Sequence, residues 1–385
     1  MKAALVCKKE PVQRVRGASL VFGASGLKAS SVAILSGYRQ GTAMQPAPGS
    51  SREWIRASDI VSEYARSPLD VFKLWPSGKS YLFSPLGRCV IAYRVASSVA
   101  IALGDPVGAN PEIEMTVRAF LHACRTKGWE PVFYQTLPDL LPLYRQQGLR
   151  KLKIGDDAIV DLPQFSLVGK SKREVRSKVH QFENMGTRIV EYQPPVPEDV
   201  IAQLKVVSDQ WLEIPGRRER SFTVGHFDPD YLRSTPVLAV VDRGATLLAF
   251  INLISVDNNE ITGDLMRRST HAPNGIMDYL FVNLFEYAKQ RGYARVSLGM
   301  APMTGFREHE HATMEERAIH AVSRKLDFLF SFRGLHHYKA KFATSWEPRY
   351  LIYNSFLQLP RTALALRRIS EVRHENEQSC SSRQV

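Results

Sequence analysis

The sequence predicts an α/β protein of two similar halves, each a mixed, mainly antiparallel sheet flanked by helices. Three observations carry that prediction. Short apolar runs rich in β-branched and aromatic residues recur between Gly-, Pro- and Ser-containing breaks. Longer segments with apolar residues at helical spacing separate them. The order strand, strand, strand, helix, strand then occurs twice along 385 residues, a length that exceeds what one core usually serves.

Residues 1–50 show little periodicity and end in QPAPGS, the composition of a flexible leader. The first half is assigned to 51–193. A helical pattern from Trp54 to Ala65 is stopped by Pro68. SYLFS, RCVIAYRV and SVAIALG, between 80 and 104, read as an antiparallel meander that GDPVG (104–108) closes with turn chemistry. Pro111 marks the next helix start, and Ile113, Val117, Phe120, Leu121 and Cys124 give that helix one apolar face. PVFYQT (131–136) follows as a strand, DLLPLYRQQG (139–148) as a short helix and AIVDL (158–162) as another strand. SKREVRSKVHQFENMG (171–186) is a basic helix ended by Gly186, and TRIVEY (187–192) is a strand.

PPVP at 194–197 marks the boundary, and the second half is assigned to 194–358. A helix over about 197–213 leads into the polar loop IPGRRERS. VLAVVD (237–242), TLLAFINLISV (246–256) and EITGDLMRR (260–268) form the second meander, before a helix over 274–291 and the strand ARVSLGM (294–300). Residues 359–385 form a basic tail. Within it Leu359, Ala363, Leu366 and Ile369 fall near helical spacing among Arg361, Arg367, Arg368 and Arg373, as in a helix that lies on lipid.

Composition narrows the function. With 44% hydrophobic and 23% charged residues the chain is an ordinary globular protein, and a net charge of +13 favours polyanionic partners such as nucleic acid or an anionic membrane surface. Cys7, Cys89, Cys124 and Cys380 are scattered without CxxC spacing, so neither a disulfide framework nor a zinc site is expected. No uninterrupted apolar run is long enough to span a bilayer; residues 18–36 come nearest and are broken by Lys28, serines and glycines. His309 and His311 flank Glu310 without further ligands, so no metal is expected there, and no Walker loop, GxSxG or HExxH occurs.

Several constellations carry possible chemistry. In FRGLHHYKAKFATSWEPRY (332–350), Arg333, Lys339, Lys341 and Arg349 alternate with Phe332, Tyr338, Phe342, Trp346 and Tyr350. The pattern reads either as cations facing an anion pocket or as a basic edge strand. Asp264 and Arg267 end a predicted central strand, where alternation places Asp264 with Met266 on one face and Arg267 with Leu265 on the other. They read as site residues or as a structural ion pair. Asp278 lies in the first turn of the following helix, where capping and function are equally served. LGMAPM, with Met300, allows close backbone approach after the last strand. Trp211, Glu213, Arg217, Arg218 and Glu219 lie in SDQWLEIPGRRERSF, and Lys172, Arg176 and Val179 share one side of the basic helix, suited to tRNA phosphates or lipid headgroups.

The repeated strand–helix order resembles the GNAT acyltransferases, here in tandem. An acetyl-CoA-dependent member would carry R-x-x-G-x-G/A where this chain has HAPNG, with Gly275 alone and Pro273 removing a backbone donor, which argues against acyl-CoA as donor. YLFS, GDPVG, KSKREVRSKV, SDQWL, GHFDPDYL, DLMR, GIMDYL, LGMAP, FRGL, YKAKF and WEPRYL, in this order from 81 to 351, together resemble the cytosolic catalytic domain of phosphatidylglycerol lysyltransferases, also called aminoacyl-phosphatidylglycerol synthases.

That resemblance implies tandem GNAT-like subdomains and transfer of a lysyl or alanyl group from aminoacyl-tRNA to the glycerol headgroup of phosphatidylglycerol. The donor ester is already activated, so no cofactor or metal is called for. Lys339, Lys341 and Arg349 would meet phosphate and oxyanion, with Arg267 in support. Asp264 would orient the acceptor hydroxyl or hold the donor's ammonium. An exposed aspartate is a weak base near pH 7, so the substrate's own ribose hydroxyl or phosphate is the alternative proton acceptor. Trp211, Glu213, Arg217, Glu219, Asp278, Met300, Tyr338, Arg176 and Lys172 would bind substrate. Most members of that family carry a large multi-span membrane region that these residues lack, so a cytoplasmic location with peripheral contact on the inner membrane face, through the tail and the basic helix, is expected. Another lipid or peptide acceptor, or a non-catalytic lipid- or nucleic-acid-binding module, are the competing readings.

Overall fold

Strand pairing joins both halves of the chain into one sheet. The structure is a computed structural model, and it describes residues 51–76, 78–256, 259–302 and 332–372. The expected leader at 1–50, the His309–His311 motif and Arg373 lie outside the described residues. The first half runs α1 (Ser51–Tyr64), β1 (Ser80–Phe83), β2 (Cys89–Ala96), β3 (Val99–Leu103), β4 (Val107–Gly108), α2 (Asn110–Thr126), β5 (Glu130–Thr136), α3 (Leu141–Gln146), β6 (Arg150–Asp161), α4 (Arg173–Asn184) and β7 (Arg188–Tyr192). The second runs α5 (Glu198–Glu213), α6 (Pro229–Arg233), β8 (Val237–Val241), β9 (Leu247–Ser255), β10 (Glu260–Arg268), α7 (Ile276–Gln290), β11 (Arg295–Pro302), α8 (Phe332–Ala340), β12 (Ser345–Tyr353) and α9 (Leu359–Ser370).

The sheet order is β1-β2-β3-β5-β12-β6-β11-β10-β9-β8-β7, with β4 beside β2. Each half has the same plan: a meander of antiparallel strands, a crossover helix, and a strand parallel to the meander's last one, β5 beside β3 and β11 beside β10. The fold is thus the expected mixed, mainly antiparallel tandem GNAT-like arrangement. One feature was not legible. β6 follows β5 in sequence yet pairs with β11, while β12 returns from the chain's far end to pair with β5. The two exchanged strands pair with each other at the centre of the sheet.

That exchange corrects the reading of FRGLHHYKAKFATSWEPRY as a basic edge strand: its first part is α8 and its last part is the central strand β12. It also lengthens β6. RKLKIGDD lacks a continuous apolar pattern, but β12 supplies backbone partners from Ile159 down to Arg150, and pairing extends the strand where hydrophobicity does not.

Helices cover both faces. α4 and α7 bury Val175, Phe182, Leu280, Leu284 and Phe285 against β6 and β8–β11. On the other face one cluster spans both halves, joining Val99 and Ile101 of β3, Leu204 of α5, Phe250 of β9 and Leu265 of β10. Leu359, Ala365 and Ile369 of α9 belong to this cluster. The apolar side expected to insert into lipid is therefore largely core, and only Pro360, Arg361, Leu364, Arg367 and Arg368 of the helix are exposed. Truncating Ile369→Ala should lower global stability by about 2–4 kcal/mol in urea denaturation. A variant of unchanged stability would return this face to the membrane.

Candidate active site

The parallel pair in the second half separates early. β10 and β11 pair only at Glu260 with Arg295, Ile261 with Val296 and Thr262 with Ser297. In the first half, by contrast, β3 pairs with β5 along its whole length, from Val99 to Leu103. Both separating strands bulge immediately beyond the last pair. From Gly263 to Met266 on β10 are three steps, against two from Leu253 to Ile251 on β9. From Ser297 to Met300 on β11 are again three, against two from Ile159 to Asp157 on β6. Each bulge adds one residue and bends its strand. The result is an opening between β10 and β11 at their carboxyl ends, where ligands of parallel strands characteristically bind.

The β10 bulge overturns the alternation expected for Asp264 and Arg267. Leu265 donates its backbone N–H to Asn252 Oδ1 at 2.8 Å, and the extra residue turns both Asp264 and Arg267 toward the segment between Trp211 and Tyr231. The Asp264 carboxylate accepts from the backbone N–H of Gly225 at 2.9 Å and from the Tyr231 hydroxyl at 2.8 Å. Tyr231 stacks on Trp75, with ring centroids 4.6 Å apart. Only glycine fits at 225, since a Cβ there would lie 2.2 Å from Asp264 Oδ2 and 3.1 Å from Trp75 Nε1. Asp264 is buried rather than exposed. Burial pushes its carboxyl up to about 6, against the opposing pull of the Gly225 and Tyr231 hydrogen bonds and of Arg267. Burial makes it a stronger base than the sequence reading allowed.

Arg267 is held rather than free. Its guanidinium lies 3.7 Å from the centre of the Trp211 ring and pairs with both oxygens of Glu219 at 3.0 and 3.1 Å. Arg217 approaches the same ring at 5.5 Å. Glu213 is exposed at the end of α5.

The β11 wall carries the lysine. Gly299 has φ 76°, a left-handed value that suits glycine in a bulge. The carbonyls of Gly299 and Met300 both accept from Lys339 Nζ at 2.9 Å. Burial pushes the Lys339 ammonium down to about 8, while Asp157 holds it up. Asp157 also accepts from Arg349 Nε at 2.8 Å, so one carboxylate serves both cations. Arg349 is buried, and its Nη1 has no partner among the described residues. At the closed end of the pair, Arg295 bridges Glu260 at 2.7 Å and Glu347 at 2.6 Å. Burial raises the Glu260 carboxyl to about 7 in spite of Arg295.

Lys341 belongs to a different group. Its Nζ lies 3.4 Å from Asp278 and 3.6 Å from Glu174, and 5.3 Å from the Tyr338 ring. Lys172 donates to the Lys341 carbonyl, and Arg176 donates to the carbonyl of Gly169 at 2.7 Å. These residues hold one another beside α4 and α7.

The candidates expected in one cleft are thus divided. Asp264 and Arg267 of β10 turn to the segment between Trp211 and Tyr231, Lys339 sits at the β11 bulge near Asp157 and Arg349, and Lys341 lies with Asp278, Tyr338 and Lys172. A cleft of free cations does not form, because Arg267, Arg349 and Lys341 each meet a carboxylate and Lys339 two carbonyls. Sequence reasoning missed Trp75, Gly225, Tyr231 and Asp157. Asp157 had a signal, an acidic pair before an apolar strand run in GDDAIV. Trp75 had none. Among the described residues, no group of three or more His, Cys, Asp or Glu side chains is placed to hold a metal ion.

A sheet of this order, with a meander, crossover helix and parallel strand repeated in each half, places the protein in the tandem GNAT-like class. Residues 60–353 match the family "Phosphatidylglycerol lysyltransferase, C-terminal", and the chain belongs to that family. A phosphatidylglycerol lysyltransferase of Staphylococcus epidermidis is 31% identical over 317 residues, covering 82% of this chain and 37% of the relative. That of Bacillus subtilis is 31% identical over 292 residues, covering 76% and 34%. The solved structure of L-PGS from Bacillus licheniformis superposes with a TM-score of 0.74 at 30% identity, covering 86% of this chain and 98% of that one. The chain spans little more than a third of the length of these curated relatives. No helix among the described residues is long and apolar enough to cross a membrane.

Asp264 makes a prediction about stability. Its folded-state carboxyl, raised from 3.8 to about 6, binds its proton more tightly than in the unfolded chain. The stabilising contribution is therefore present below about pH 4 and lost as pH rises through 6. Relative to wild type, Asp264→Asn should gain up to about 3 kcal/mol between pH 4 and pH 7, read by urea denaturation at both. A difference that does not change with pH would mean that Asp264 titrates normally.

Proposed function

We propose that this chain transfers an aminoacyl group from aminoacyl-tRNA to the glycerol headgroup of phosphatidylglycerol, with lysyl favoured because the relatives are named lysyltransferases. The supporting observation is the early separation of β10 and β11, with Asp264 on one strand just beyond the last pair and Lys339 held by two carbonyls of the other. The donor is an ester, so the reaction needs positioning, a base for the attacking hydroxyl and a cation for the oxyanion.

Asp264, ionised at pH 7 yet more basic than an ordinary carboxylate, takes the proton of the glycerol hydroxyl as its oxygen bonds to the acyl carbon. Charge moves to the carbonyl oxygen. Lys339, largely protonated at that pH, spends two of its three N–H donors on the Gly299 and Met300 carbonyls and keeps the third for this oxyanion. Collapse breaks the bond to the ribose oxygen, which takes up the proton that Asp264 accepted. Arg267, fixed by Glu219 against Trp211, sets the position of the loop at the mouth. The net charge of +13 serves both polyanionic substrates and supports peripheral contact with the cytoplasmic membrane face.

The test is the purified chain with lysyl- or alanyl-tRNA and phosphatidylglycerol vesicles, followed by lipid extraction and mass analysis. Lys339→Ala should lower kcat about 10²–10³-fold. Asp264→Asn should lower it about 10²–10⁴-fold and abolish the acid limb near pH 6. If no aminoacylated phosphatidylglycerol forms from either donor, the proposal is wrong.

A further inference from the structure

α9 has a second face. Phe356, Leu357 and Leu364 are 42%, 76% and 45% exposed, and Arg361 and Arg368 lie exposed beside them. Arg361, Leu364 and Arg368 of α9 recur at helical spacing on its outward side, and Phe356 and Leu357 stand exposed in the 3₁₀ turn Phe356–Gln358 that leads into it. Arg361 makes no ion pair among the described residues, whereas Arg367 pairs with Glu371 at 3.1 Å and Arg368 donates to Ser97 Oγ at 2.6 Å.

The stripe stands on a fixed support. Gln358 accepts the backbone N–H of Ser355 at 3.1 Å and of Asn354 at 3.3 Å, and donates to the Pro131 carbonyl at 3.3 Å. Leu359, Thr362, Ala365 and Ile369 are buried beneath it. The helix's other end reaches the site loop. The Ser370 carbonyl accepts from Ser221 N at 2.9 Å, and Arg94 Nη1 donates to both the Ile369 carbonyl and Ser221 Oγ, at 3.0 and 3.1 Å. Ser221 lies between Glu219, which holds Arg267, and Gly225, which holds Asp264.

We propose that this outer face of α9, with the turn that leads into it, docks on an anionic bilayer surface. Phe356, Leu357 and Leu364 enter the headgroup layer and Arg361 meets lipid phosphate. The occupant follows from the chemistry: bulky apolar side chains interleaved with arginines, on a chain of net charge +13, complement an anionic apolar interface. Resting on the proposed transfer reaction, the docked helix would hold the β10–β11 opening against its lipid substrate through the Ser221 contacts.

The experiment uses the 385-residue chain in co-sedimentation with vesicles of phosphatidylglycerol and phosphatidylcholine, against phosphatidylcholine alone. Wild type should partition onto the anionic vesicles. Phe356→Ser with Leu357→Ser should weaken partitioning about tenfold or more, and Arg361→Gln about fivefold, as expected for one interfacial cation. Both variants should turn over phosphatidylglycerol dispersed in detergent at the wild-type rate, and Leu364→Ser replaces the double variant if that one melts early. Wild-type partitioning by a folded apolar variant overturns the proposal. So does light scattering that shows the variant splitting a dimer while partitioning is unchanged, because the face then joins two copies. If the double variant loses partitioning but wild type aminoacylates no lipid in any form, docking stands and the transfer reading falls.

Discussion

Backbone hydrogen bonding between two parallel strands decides the character of this protein. A strand pair that stays registered buries its peptide groups and leaves no room for a ligand, as β3 and β5 do in the first half. β10 and β11 stop pairing at Thr262 and Ser297 because one extra residue is inserted in each strand just beyond. Those two residues cost ladder hydrogen bonds, which side chains and neighbouring backbone replace. Asn252 takes the Leu265 N–H, Thr262 Oγ1 donates to the Ser297 carbonyl at 2.8 Å, and Lys339 takes the Gly299 and Met300 carbonyls. Lys339 thereby completes the bulge of β11.

Charge at the site is balanced before any substrate arrives. Buried cations without partners are too costly to retain, so Arg267 is matched by Glu219 and Arg349 by Asp157. Lys339 has no carboxylate of its own and is held by carbonyl dipoles, with Asp157 nearby. It is also the cation whose pKa burial lowers to about 8. On β10, Asp264 is raised to about 6. Burial thus moves both groups toward neutrality, as the proposed proton transfer near pH 7 would require.

The exchange of β6 and β12 ties the two halves together. Each half ends its sheet with a strand from the other's stretch of sequence, and the shared cluster containing α9 fills the space between them. Lys339, Asp157 and Arg349 come from α8, β6 and β12, so the β11 wall is assembled from both ends of the sheet's central seam.

Local pattern determined the elements. Apolar periodicity located the meanders at 80–104 and 237–268, the basic segment and the longer helices, though not α6 or α8, because a face must be apolar to pack against a core. The charged residues of the candidate site stood out too, Asp264, Arg267, Lys339 and Arg349 among them, since charges beside apolar strands and aromatic rings are conspicuous in the sequence. Tertiary structure alone decided which of them meet. Period-two alternation placed Asp264 and Arg267 on opposite faces, and a one-residue bulge, set by pairing with β9, put them together. The strand exchange was likewise invisible, because RKLKIGDD becomes a strand only when β12 supplies its hydrogen-bond partners. Non-local pairing fixes register, and register decides which side chains share a cleft.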